Sequence, residues 1–394
     1  MHDHLNAHPQ GDAYMKSAPS LPAAVLLCLT FAGGALAQKS DDDPMTRAIA
    51  AMQAGETGKA VAELTEVIRR RPDNPDAYFL RSNLKLTSGD TAGALSDLDK
   101  AIELKPDSGS YYYNRAIARL VGKDADGALK DLDSAVANGY KIDPAYALRA
   151  QLRMERGDLK GALADFDEAI KLNPNNPRSY STRSHLLLKL EDRDRALADL
   201  NHLLTWYETD PTKRPQPKPA GRDGKPTKEQ PASPGPAGDK NERADSGEFK
   251  VRETLETVNA SPADKEMVPV IADAYVKRGL IHSLRGEADA AIADYTKSIR
   301  TLPANAWAHF YRGVELEGKG DLAGALSDIN KTVELEPRNG NARVERGVVL
   351  LLMGRAQEAQ ADFDALLKSD PVLWQKRIDE RTAAVRKKLP ARPN

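Results

Sequence analysis

Cysteine is almost missing from this sequence: Cys28 is the only one in 394 residues. A lone thiol closes no intramolecular disulfide, so stability must come from packing. Aromatic residues are scarce, at 5%, which speaks against sheets with aromatic stacking platforms. An excess of one charge is lacking too. With 57 basic and 58 acidic residues the formal net charge is -1, and the broad positive field of nonspecific nucleic-acid binding is not there. Nucleic acid is therefore not expected as a partner. No Walker phosphate loop, GxSxG elbow or dinucleotide fingerprint occurs, and His185, His202, His282 and His309 are scattered without a ligand spacing such as HExxH. These absences predict no metal, no cofactor, no small-molecule substrate and no catalytic seat.

What remains is 40% hydrophobic and 29% charged, the composition of a soluble fold long enough for two or more domains. Alanine, leucine, arginine and glutamate are plentiful, which favours helix. At the start, Met15 and Lys16 precede an uncharged apolar run from Leu21 to Ala32 that ends in Ala35-Leu36-Ala37. This is the pattern of a secretory leader over residues 1–37, with Met15 as its start, cleavage after Ala37 and Gln38 as the new N-terminus. His2, His4 and His8 then fall ahead of that start. The competing expectation is an uncleaved anchor, although Pro22, Gly33 and Gly34 interrupt the run. Cys28 follows Leu27, which is not the small residue that a lipid-attachment signal requires, so the mature chain is expected to hold no thiol.

Self-similarity organises most of the rest, with a period of about 34 residues. The unit from Asp143 has Tyr146, Ala150, Gly157, Ala162, Phe166, Ala169 and Pro174 at its marked places. One from Pro75 repeats them as Tyr78, Ser82, Gly89, Ala94, Leu98, Ala101 and Pro106, and one from Ala306 as Gly313, Gly320, Ala325, Ile329 and Pro337. Small residues let two helices cross closely, larger ones such as Phe166, Tyr295 and Phe363 fill the space between them, Gly157-Asp158 or Gly320-Asp321 ends the first helix, and Pro174, Pro303 or Pro337 ends the second. The pattern closely resembles the tetratricopeptide repeat. About eight units begin near Asp41, Pro75, Gly109, Asp143, Pro177, Ala272, Ala306 and Gly340. Tyr140, Glu191 and Leu203 depart from it, and the stretch around Lys123 and Gly139 is expected to carry a shifted turn.

The resemblance implies an all-α solenoid of helix-turn-helix units, stacked into a right-handed superhelix with a concave binding surface. The period breaks at PTKRPQPKPAGRDGKP and PASPGPAGDK, so the expected organisation is a five-repeat array over 38–210, a disordered Pro/Lys-rich linker over 211–259, a three-repeat array over 260–373, and a capping helix and tail over 374–394. Glu248 to Val258 forms a candidate short helix leading back into the repeats, and Trp374 to Leu389 is the candidate cap.

Two polar series keep the repeat's register. An arginine precedes the small residue of every first helix: Arg47, Arg81, Arg115, Arg149, Arg183, Arg278, Arg312 and Arg346. Asp97, Asp131, Asp165, Asp199, Asp294, Asp328 and Asp362 recur on the second helices. The expected result is a ladder of structural charge pairs. By analogy with the family, the partner-binding groove is lined by Phe79, Asn83, Tyr113, Ile117, Gln151, Met154, Ser181 and His185, and then by Val276, Leu280, Trp307, Phe310, Val314 and Val344. Trp307 and Phe310 are the foremost anchors, since aromatic residues dominate binding hot spots. Asn83 and Asn114 partly fit a carboxylate clamp, but Phe79, Pro144 and Leu148 stand where polar groups would be needed. The function implied is a noncatalytic scaffold for other proteins or peptides in the periplasm or outside the cell, in contact with a membrane only if the leader is uncleaved. The alternative is an accessory, substrate-positioning subunit of an envelope enzyme or of a secretion or assembly machine.

Overall fold

The computed structural model describes residues 43–209 and 262–386. The leader over 1–37, the segment 211–259 with its candidate helix from Glu248 to Val258, and the tail beyond 386 lie outside the described residues. Among the described residues there are seventeen helices and no strand. They fall into two compact units, divided between Leu190 and Glu191.

The N-terminal unit contains α1 (Pro44–Gln53), α2 (Thr57–Arg70), α3 (Pro75–Thr87), α4 (Thr91–Leu104), α5 (Gly109–Val121), α6 (Ala125–Ala137), α7 (Asp143–Glu155), α8 (Leu159–Leu172) and α9 (Pro177–Lys189). The C-terminal unit contains α10 (Arg193–Glu208), α11 (Pro262–Leu284), α12 (Ala288–Thr301), α13 (Ala306–Lys319), α14 (Leu322–Leu335), α15 (Gly340–Leu352), α16 (Ala356–Ser369) and α17 (Pro371–Arg386). Within each unit consecutive helices pack as hairpins, α1 with α2 through α7 with α8 and α11 with α12 through α15 with α16, each second helix packs on the next first helix, and neighbouring first helices touch at α3 and α5, α11 and α13, and α13 and α15. The fold is thus the all-α solenoid of stacked helical pairs that the repeat implies.

Helix ends follow from local chemistry. Asn74, Asn305 and Asn339 accept a hydrogen bond from the backbone N–H three residues on, at the start of α3, α13 and α15. Asp90, Asp124, Asp158, Asp192 and Asp321 do the same for second helices. Such caps satisfy N–H groups that the helix itself leaves unpaired. Between the helices of each pair, one residue adopts a left-handed conformation. Glycine takes that place at Gly55, Gly89, Gly157, Gly286, Gly320 and Gly354, but Lys123 (φ 64°) and Glu191 (φ 60°) occupy it in two repeats. Lys123 therefore keeps the common register, contrary to the shifted turn expected there. Gly139 (φ 82°) makes an additional turn after α6, where other repeats use proline.

The small residue after each ladder arginine sits at the helix crossing. Ala48, Ser82, Ala116, Ala150 and Ser184 are fully buried. In the C-terminal unit glycine replaces them, and a Cβ there would meet Tyr295 at 2.6 Å from Gly279, Ile329 at 2.8 Å from Gly313 and Phe363 at 2.3 Å from Gly347. The absent Cβ is what makes room for those large partners at the crossing. Helix α11 begins at Pro262, well ahead of Ala272 where its repeat opens, and buries Met267, Val270 and Ile271. Helix α17 packs on both α15 and α16, with Ile378 and Thr382 buried and Val372 and Leu373 exposed.

Candidate functional site

The arginine and aspartate series meet inside six of the hairpins. Arg81 donates from Nε and Nη2 to the two carboxylate oxygens of Asp97, at 2.8 and 2.6 Å. Arg115 binds Asp131 in the same fork at 2.9 and 2.7 Å, and Arg149 binds Asp165 at 2.9 and 2.6 Å. In the C-terminal unit Arg278 holds Asp294, Arg312 holds Asp328 and Arg346 holds Asp362, all in two-point contacts. Planar guanidinium against carboxylate favours this geometry. Arg47 is served by Glu63, at 3.0 and 2.7 Å.

Several neighbours of the ladder were missed in the sequence, although each recurs there with the same period. The remaining nitrogen, Nη1, reaches the preceding repeat: Arg81 to Thr65, Arg115 to Asp99, Arg149 to Asp133, Arg183 to Asp167 and Arg312 to Thr296, at 2.7 to 3.1 Å. Each of these arginines but Arg312 also lies over a tyrosine three residues earlier, Tyr78, Tyr112, Tyr146 and Tyr180, at 5.4 to 5.8 Å from the ring centre. A second cation joins the ladder acid in the N-terminal unit, Lys85 on Asp97, Arg119 on Asp131 and Arg153 on Asp165, each at 2.8 Å. In the C-terminal unit His309 joins Asp328 at 2.9 Å.

Burial and pairing act in opposite directions on these charges. The hydrogen bonds they donate to Asp97 and Asp362 raise Arg81 and Arg346 above the ordinary arginine value, against burial. Burial lowers Arg115, Arg149 and Arg278, but the aspartates outweigh it and the net direction is upward. For Asp328, burial pushes the carboxyl up, and hydrogen bonds from Arg312 and His309 carry it below its ordinary range. Asp143 is different. It is 6% exposed, receives no cation but the amides of Asn173 and Asn176 at 3.1 Å each and a backbone N–H, and burial holds its carboxyl above the ordinary value.

The residues assigned to the groove lie on first helices, with unequal access. Asn83, Tyr113, Met154, Ser181, Val276, Leu280, Phe310 and Val344 are buried, whereas Phe79, Ile117, Gln151, His185, Trp307 and Val314 are partly accessible. Phe79 and Ile117 pack on the same cluster of Leu86, Ala94, Leu98 and Ala118, and the Phe79 ring lies 4.9 Å from Tyr111. Tyr113 belongs to the next cluster, beside Tyr140. Met154 packs with Phe166 and Leu186, and Val344 with Phe363 and Ile378. Trp307, Phe310, Tyr311 and Tyr295 form one aromatic group, with Trp307 stacked at 5.8 Å on Tyr311. Asn83 stands out because its Nδ2 is buried and has no hydrogen-bond partner, while Asn114 spends its amide on the Ser110 carbonyl at 2.8 Å.

Among the described residues, no group of His, Cys, Asp and Glu side chains is placed to hold a metal ion, and no helix is long and apolar enough to cross a membrane. A recess of 520 Å³ in the C-terminal unit is lined by His309, Arg312, Asp328, Lys331 and Glu334 among others. Its charges are already paired with one another.

Comparison with known proteins places these helices in a wider set. A tetratricopeptide repeat family model matches residues 45–108, 79–147 and 310–372, a TPR repeat model matches 150–190, and a further tetratricopeptide repeat model matches 272–305. No curated protein matches the chain. Similar solved structures include a tetratricopeptide repeat protein from Parabacteroides merdae, at 16% identity and a TM-score of 0.44, covering 78% of this chain and 98% of that one. The pilus biogenesis factor PilW is 15% identical with a TM-score of 0.44, over 67% of this chain and 94% of its own. MamA from Desulfovibrio magneticus is 18% identical with a TM-score of 0.39, over 42% and 96%. The matched repeats, in register with helical pairs that cross at small residues and are locked by arginine and aspartate, show that the chain belongs to the tetratricopeptide repeat family.

Proposed function

We propose that the chain is a noncatalytic scaffold that holds partner peptides or helices against the face formed by its first helices, and that it does so in the cell envelope. The observation that carries this reading is the amide of Asn83. It lies on α3 one turn from Phe79, 3% exposed, with Nδ2 unpartnered. A buried donor left without an acceptor costs about 1–3 kcal/mol, which a carbonyl from a bound segment would relieve. Phe79 and Ile117 supply apolar contact beside it, and Gln151 and His185 continue the same helix face in the following repeats. In the C-terminal unit Trp307 and Val314 are the accessible counterparts. The envelope is supported by the leader-like stretch ending at Ala37.

The test uses the difference between stability and binding. Asn83→Ala removes a group that bonds nothing in the free protein, so thermal unfolding should be unchanged or slightly higher. Partners recovered on the wild-type chain should be lost at least about tenfold on Asn83→Ala and on Trp307→Ala. Full recovery on both folded variants would refute the first-helix face as the binding surface.

A further inference from the structure

Helices α10 and α11 pack together although the segment 210–261 separates them in sequence. Their contacts are those of repeats joined by short turns. In the N-terminal unit, each ladder arginine reaches through Nη1 to the residue two places beyond the preceding ladder acid: Arg115 to Asp99 at 2.8 Å and Arg149 to Asp133 at 3.0 Å. Arg278 makes the same bond to Asn201, two places beyond Asp199, at 2.9 Å. Arg278 also lies over Tyr275 at 5.7 Å, as its counterparts lie over theirs.

The seam is closed at the end of α10. Glu208 accepts from the hydroxyl of Tyr275 at 2.8 Å and from Nζ of Lys297 at 2.7 Å. Asp194, near the other end, pairs with Arg285. Burial raises Glu208, while Lys297 and Tyr275 bring it below its ordinary value. Leu203 and Leu204 on α10 and Ile271 and Ala274 on α11 are buried. Both helices belong to the same compact unit, although residues 210–261 separate them in sequence.

We propose that the α10–α11 seam is a docking surface sufficient in itself, whose occupant is the chain's own 262–386. Residues 210–261 are then an insertion within the C-terminal unit, and the unit does not depend on covalent continuity there. In place of a tether between two independent arrays, the sequence break marks a place where the stack tolerates a long excursion. A tether of this length supplies an effective concentration on the order of 1 mM. Once it is cut, the seam alone must hold the two pieces.

The experiment introduces a protease recognition sequence between Gly235 and Pro236 of the full chain and cleaves it under native conditions. The two pieces are expected to co-elute in size-exclusion chromatography at about 1 μM, the packing and ion pairs of the seam holding them without the tether. Separation into two species at 1 μM would overturn the proposal. A second variant, Asn201→Ala with Glu208→Ala, tests the surface itself. Uncleaved, it is expected to keep the wild-type helical signal, since each hairpin retains its own contacts. After cleavage its dissociation constant should rise at least about tenfold. A dissociation constant left unchanged by both substitutions would mean that another surface holds the pieces, and would overturn the assignment equally.

Discussion

Arg149→Met should destabilise the middle of the N-terminal unit substantially. The substitution keeps the apolar stem and removes the guanidinium. Asp165, 3% exposed, would lose the bonds of 2.9 and 2.6 Å to Arg149 and keep Arg153 at 2.8 Å. A buried carboxylate stranded without any partner costs roughly 3–5 kcal/mol. With one cation remaining, the expected loss lies near the lower end, about 3 kcal/mol. Arg312→Met should cost at least as much, because Asp328 would be left with His309 in place of a permanent cation. The double variant Arg149→Met with Asp165→Leu removes the stranded charge and should recover more than half of the loss. Repeat stacks open locally, so the measurement is hydrogen exchange of the amides in α7 and α8, with urea unfolding alongside. If Arg149→Met lies within about 0.5 kcal/mol of wild type, the pair is screened as a surface pair would be, and the ladder is not what holds the hairpin.

Lys123 and Glu191 stand in a left-handed conformation that costs most residues about 1 kcal/mol. Lys123→Gly and Glu191→Gly should each stabilise by about 0.5–1 kcal/mol in urea unfolding, and Gly157→Ala should destabilise by a similar amount. Asp143 has its folded value raised above the ordinary 3.8, so its contribution is present at low pH and is lost as pH rises through the raised value. Asp143→Asn should therefore raise the thermal midpoint at pH 7, and the gain should vanish below about pH 4. Asp328 runs the other way: lowered in the fold, it stabilises above 3.8, and Asp328→Asn should lose its destabilising effect as pH falls through that lowered value. If the stretch ending at Ala37 acts as the proposed leader, N-terminal sequencing of the protein from its own cells should begin at Gln38, and an intact Met15 would refute cleavage after Ala37.

Much of the fold was legible because a repeat states the same physical requirement many times. Small residues at Ala150 and Gly313, fillers at Phe166 and Ile329, and turns at Gly157 and Gly320 each have one reason to recur, the crossing of two helices. The ladder was legible for the same cause, and Arg149 and Asp165 meet as their register implies. Access to the first-helix face was less so. Phe310 and Trp307 share a pattern and a helix, but Phe310 is 4% exposed while Trp307 is partly open. That difference depends on which neighbour each ring meets, and no period encodes it. The unpartnered amide of Asn83 is equally invisible in sequence, because Asn114, on the next first helix but three residues off the repeat's register, finds the Ser110 carbonyl.

By itself, then, the sequence determined the helical pairs, their turns and the pairing of charges within each pair, since these are local consequences of residues a fixed distance apart. The place of α10 was decided only by tertiary structure. A long break in the period reads as a boundary, yet Asn201 and Glu208 take up Arg278, Tyr275 and Lys297. Contacts between surfaces do not require the chain that joins them to be short, and the entropy of closing a long loop grows only slowly with its length.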